Sequence, residues 1–193
     1  MKRIFLPALL IVLLAGNVFA QVSGGVRLGG NLSNLKWSAG DLSMTDDSKF
    51  GLLAGVYLTA MLSDRVGIQP ELAYSSMGSK QDEDGTVKLN YIALPVLLRY
   101  QIVDQIHLLV GPQASFLMSA KYEEDGDEED IKDSVKGLDF GAVFGVGADI
   151  SRFNVGLRYG LGLANIFDED GGEGVEVKSR AFQIVLGYKL FGD

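Results

Sequence analysis

The residues best able to do chemistry in this chain are few, and they share one pattern. Arg27, Glu71, Arg99, Asp139, Asp149, Arg158 and Lys189, together with Gln69 and Gln113, fall on one parity of segments in which polar and apolar residues alternate. Carboxylates set opposite guanidinium and ammonium groups can pair and pin the register of the elements carrying them, because charge in a low-dielectric interior persists only when paired. The same set, with its slight positive excess, would otherwise suit a narrow conduit favouring anions. A second concentration of charge is Glu123, Glu124, Asp125, Asp127, Glu128, Glu129 and Asp130. These are candidate contacts for a divalent cation or a partner, although Asp125-Gly126-Asp127 lacks the spacing of an EF-hand. An acidic run is more commonly a solvated, mobile loop, and that is the expectation here.

Other chemistries are excluded by what the chain lacks. It has no Cys and a single His, His107, so thiolate ligands, Cys nucleophiles and His-rich metal sites are absent. His107 has no Ser and Asp companions in a recognisable arrangement and is expected to be a structural residue rather than a catalytic one. No catalytic residue, metal or cofactor is assigned, and the protein is not expected to be an enzyme. With 17 Lys+Arg against 25 Asp+Glu and a formal charge of −8, it also lacks the basic footprint of a nucleic-acid binder.

The elements that would position those charges are strands. The first 20 residues read as a signal peptide: Lys2 and Arg3 precede an apolar core, Ile4 to Ala15, and small residues stand at Val18 and Ala20. That core is shorter than the roughly 20 residues of a membrane-spanning helix. Cleavage after Ala20 would leave residues 21–193 as one domain. Along it run eight alternating segments, roughly Val22 to Leu35, Phe50 to Leu62, Val66 to Gly78, Val87 to Ile102, Ile106 to Tyr122, Gly137 to Ile150, Val155 to Phe167 and Arg180 to Phe191. Short connections at residues 63–65, 103–105 and 151–154 alternate with long ones that hold most of the acidic residues. An even number of strands with short turns at one end and long loops at the other marks an up-and-down barrel of the outer membrane.

Composition settles which parity faces outward. One set carries Leu, Val, Ile, Phe and Tyr with no charge; the other is Gly, Ser, Gln and Asn with only the seven charges above. A water-exposed surface would need roughly a quarter to a third charged residues. A narrow eight-stranded barrel instead has a lumen just filled by side chains, with an apolar face toward lipid. Hydrocarbon leaves no backbone group free to hydrogen-bond water, so the last strand must pair with the first. Pro70, Pro95 and Pro112 lie inside these strands and predict bulges. Tyr100, Phe153 and Tyr188 near the short turns, and Phe50, Phe116, Phe140 and Phe182 near the long loops, fit two interfacial girdles.

The motifs LGGNLSNL, QPELAYSS, LNYIALPVLLRY, LLVGPQASFLMSAK, GLDFGAVFGVGADI, VGLRYGLGLANI and FQIVLGYKLF resemble, in content and order, the PorT-like outer membrane protein β-barrel domain family across the chain from residue 21. QPELAYSS and LNYIALPVLLRY are the most specific, because they join Gln69, Glu71 and Arg99 to prolines that alternation alone would not place. The resemblance implies an integral outer membrane protein of a Gram-negative bacterium, with an accessory role in protein secretion as the namesake suggests. The whole reading is therefore an eight-stranded antiparallel transmembrane β-barrel, monomeric, with both termini in the periplasm. Its function is expected to be structural or surface-interacting, the alternative being a small gated channel. Its partners would be outer membrane lipids and lipopolysaccharide, the barrel-assembly machinery reading the terminal GYKLF, and an unidentified surface or secretion partner; nucleic acid is not among them.

Overall fold

A computed structural model describes residues 21–40, 42–81, 85–167 and 175–192. The expected signal peptide, residues 1–20, lies outside the described residues, as do the acidic stretches 82–84 and 168–174. The strands are β1 (Gln21–Ala39), β2 (Leu42–Thr45), β3 (Asp47–Met61), β4 (Val66–Lys80), β5 (Thr86–Val103), β6 (Ile106–Glu124), β7 (Asp127–Asp130), β8 (Leu138–Ile150), β9 (Phe153–Gly162) and β10 (Val175–Phe191). Every neighbouring pair is antiparallel, and the wall runs β1-β3-β4-β5-β6-β8-β9-β10 in chain order. The ring closes because β10 pairs with β1 from Gly24↔Phe191 to Ala39↔Val175. An eight-stranded up-and-down barrel results, with β2 and β7 as short additions to β1 and β6.

Alternation maps onto the wall as composition requires. Leu28, Leu52, Phe50, Val96, Phe140 and Ile184 are exposed on the outside, whereas Arg27, Asn31, Gln69, His107 and Arg158 are buried within. The girdle aromatics all point outward, and Phe153 meets Tyr188 edge to face with centroids 5.3 Å apart. β1 and β6 are 19 residues long and β5 is 18, whereas about 9–11 residues suffice to cross a bilayer. The wall therefore rises well past the hydrocarbon on the long-loop side.

Four sequence expectations need correction. No bulge occurs at any of the three prolines: Pro70↔Val96, Pro95↔Gln113 and Pro112↔Ala142 keep the register of their strands. A proline removes a donor without adding a residue, and register depends on residue count. The shifts lie instead at Gly24/Gly25, Ser48/Leu53, Asn90/Tyr91 and Gln101/Val103. The seventh segment ends at Gly162 rather than Phe167, and Ile166 turns inward to full burial. The first long connection contains β2, tied down by Asp46, whose carboxylate accepts from Trp37 Nε1 (3.0 Å) and Ser79 Oγ (2.8 Å).

The acidic run is not a loose loop either. Glu123 and Glu124 finish β6, a two-residue turn follows, and Asp127–Asp130 return as β7. Asp125 and Gly126 both have positive φ, 52° and 90°, the conformation of a type I′ hairpin turn, in which Asp-Gly is a preferred pair. Asp130 then accepts from the Lys132 N–H (2.9 Å) at the start of a 3₁₀ turn, Lys132–Ser134.

Candidate functional site

The inward charges Arg27 on β1, Glu71 on β4, Arg99 on β5 and Arg158 on β9, all buried, meet the half-buried Asp149 of β8 in the short-turn half of the lumen. Glu71 is its centre. Arg158 donates to both of its oxygens (2.8 and 2.9 Å), Arg27 pairs with Oε1, and Gln69 Nε2 donates to the same atom at 2.6 Å. From Arg27 the chain of contacts passes to Asn154 Oδ1 (3.4 Å), from Asn154 Nδ2 to Asp149 (2.8 Å), and from Asp149 to its partner Arg99. Arg99 returns to Gln69 Oε1 (3.5 Å), which also accepts from Thr59 (3.1 Å). A closed circuit thus links five of the eight wall strands. Arg27 lies over the Tyr57 ring at 4.6 Å, and His107, fully buried, places Nδ1 3.3 Å from Asp149. The bidentate geometry of Arg158 on Glu71 is the strong form of such a pair.

Gln113, Asp139 and Lys189 stand outside this circuit. Gln113 donates to Ser115 (3.0 Å), and Asp139 accepts from Ser179 Oγ (2.9 Å) nearer the long loops. Lys189 lines a cavity of about 330 Å³ at the short-turn mouth, whose floor is Arg99, Asp149 and Tyr57. Beyond a layer of buried polar side chains that includes Asn31, Ser75, Ser115, Asp139 and Gln183, the long-loop end of the lumen is apolar. Leu35, Leu89, Tyr91, Leu117, Ala120 and Val177 from the wall pack with Val135 and Ile166 from the connections, all buried, and Trp37, Ile131 and Phe167 close over them. Backbone bonds fasten this cap: Lys136 N–H to Ile166 C=O (2.7 Å), Ile166 N–H to Val177 C=O (3.0 Å) and Ile131 N–H to Ala120 C=O (3.1 Å). A space of about 20 Å³ lies beside Asp139, which is room for about one water. Sequence reasoning missed the cap, although Leu35, Leu89, Tyr91 and Leu117 lie on inward parity and could have been counted.

The geometry is that of a closed, filled barrel, and sequence comparison gives its kin. The outer membrane protein beta-barrel domain family matches residues 19–168. The chain belongs to that family. No curated protein matches this outer membrane barrel by sequence. Among solved structures, Neisserial surface protein A superposes with a TM-score of 0.54 at 14% identity, covering 88% of this chain and 99% of that one. The attachment invasion locus protein Ail of Yersinia pestis, in complex with the heparin analogue sucrose octasulfate, gives 0.49 at 14% identity, with 88% and 99% covered. OprG of Pseudomonas aeruginosa gives 0.42 at 14% identity, with 88% and 94% covered.

The acidic residues of this outer membrane barrel divide by partner. Glu128 accepts from Lys121 (2.6 Å) and Lys88 (2.8 Å), and Glu123 also pairs with Lys88. Glu124 and Asp127 face each other across the β6–β7 ladder. Among the described residues, no three His, Cys, Asp or Glu side chains converge in a way that could hold a metal ion. Bonding to Lys121, then to Lys88, holds the Glu128 carboxyl down at about 2. This contact supports the hairpin above the ordinary glutamate range and is lost as pH falls toward about 2. In a carbon-13 NMR titration Glu128 should titrate near 2, and Lys121→Met should return it toward the usual value of about 4.3. An ordinary value in the unsubstituted protein would show that the hairpin is not held this way.

Proposed function

We propose that the protein is a non-conducting, non-enzymatic structural or surface-interaction protein of a Gram-negative outer membrane, working at its outer rim, with an accessory role in secretion as its PorT-like motifs imply. Lipids and lipopolysaccharide surround it, and a surface or secretion partner engages the acidic connections. The observation that carries this reading is the apolar cap: Leu89, Ala120 and Ile166 are fully buried at the level where a conduit would have to open. Below it, the carboxylates of Glu71 and Asp149 are taken up by Arg27, Arg158 and Arg99 rather than set out along a path. An ion crossing the lumen would have to break that circuit and pass an apolar constriction.

Planar-bilayer recording on the refolded protein, with heat-modifiable gel migration to show closure, tests this. No unitary conductance is expected. Reproducible openings whose selectivity changes in Arg99→Gln or Arg158→Gln would overturn the filled-lumen reading and make the small gated channel the function.

A further inference from the structure

The seam where β1 meets β10 carries two features that point to one ligand. On the lipid-facing side, Leu28, Gly30 and Leu32 of β1, Phe50 of β3, and Phe182 and Ile184 of β10 bound an apolar groove of about 480 Å³. The Phe50 ring packs over Gly30 at one side of it, where a Cβ would come 2.8 Å from the ring. One outward step along the same strands, the surface changes character. Leu32 pairs with Phe182 and Phe50, next comes Asn34 opposite Arg180, and then Lys36 opposite Lys178. Two lysines directly across an antiparallel ladder repel each other, and Arg180 Nε is buried with no hydrogen-bond partner. Lys178 has Glu176 at 2.6 Å; Lys36 and Arg180 have no acidic partner among the described residues.

We infer that this seam binds lipopolysaccharide. An acyl chain lies in the groove, and a phosphate of the phosphorylated sugar bridges Lys36, Lys178 and Arg180. Depth supports the pairing. Aromatic girdles mark the edge of the hydrocarbon, so basic residues one or two ladder steps beyond Phe50 and Phe182 stand at headgroup level, where each adds to the attraction for anionic lipid. A phosphate between Lys36 and Lys178 removes their mutual repulsion and gives Arg180 an acceptor. The inference rests on the outward placement of the long loops, but its test uses folded protein in micelles and is independent of the conductance result.

Native mass spectrometry would follow binding of bisphosphorylated lipid A, with dephosphorylated lipid A, phosphatidylglycerol and inorganic phosphate as the other arms. The bisphosphorylated lipid should bind best. Lys36→Gln/Lys178→Gln/Arg180→Gln should weaken it by about a hundredfold while leaving gel migration unchanged. Val155→Phe, which fills the groove from β9, should weaken both lipid A forms together. Equal binding of the two lipid A forms, or unchanged binding by the triple variant, would overturn the phosphate contact. Phosphatidylglycerol binding as tightly would overturn lipopolysaccharide as the occupant, and inorganic phosphate binding as tightly would leave a free-anion site instead.

Discussion

Glu71→Gln is expected to destabilise the folded barrel by about 3–5 kcal/mol, the cost of breaking a buried ion pair from one side. The carboxylate is almost wholly buried and takes donors from Arg158, Arg27 and Gln69. An amide is isosteric but neutral, and its NH₂ group faces guanidinium donors, so two buried cations lose their counter-charge at once. Removing both signs should be far milder. The triple variant Arg27→Met/Glu71→Leu/Arg158→Met fills similar volume without charge and is expected to recover most of the lost stability. Guanidinium unfolding in lipid vesicles, followed by far-ultraviolet circular dichroism, measures both. A Glu71→Gln cost below about 1 kcal/mol would mean the circuit is no tighter than a surface pair.

The second large effect belongs to the closing seam. Gly25 sits beside the shift between Gly24 and Gly25, where β10 lies so close that a Cβ would stand 2.0 Å from the Tyr188 carbonyl oxygen. Backbone cannot yield as a flexible side chain does, so Gly25→Ala must push β10 away. Its cost should reach about 3 kcal/mol, the upper range for overpacking, and appear as loss of the heat-modifiable gel form. Gly137→Ala is the control, because a Cβ there meets nothing within 4 Å; it should change stability by no more than about 0.5 kcal/mol. Equal behaviour of the two variants would show that closure tolerates a wider seam.

How far these features could be read from sequence follows from what alternation encodes. Period two, with an uncharged outer set and a Gly-, Ser- and Gln-rich inner set, specifies closure of the wall, and both faces agree with it. Parity also marks Arg27, Glu71 and Arg158 as inward residues. It does not reveal that they meet, because β1, β4 and β9 are not all neighbours, and which residues face one another across a lumen depends on the stagger of the whole ring. The cap escaped notice for a related reason. Its wall residues look like ordinary strand residues, and Val135 and Ile166 come from connections whose path depends on the ends they bridge. Asp125-Gly126 was the opposite case: a local hairpin signal was present and the surrounding negative charge obscured it.

The height of the wall makes this one chain two materials in series. Where β1, β5, β6 and β10 lie in hydrocarbon, lipid covers the apolar outer set, and no strand can open singly without leaving backbone groups unpaired there. Where the same strands continue past the bilayer, the cap is a small core of the aqueous kind, and opening it hydrates Leu35, Leu89, Tyr91 and Ile166. Opening the cap carries the positive heat-capacity change of apolar hydration, so the stability of that half curves with temperature and weakens on cooling, whereas the half in lipid gives up its apolar surface to water only when the whole wall unfolds.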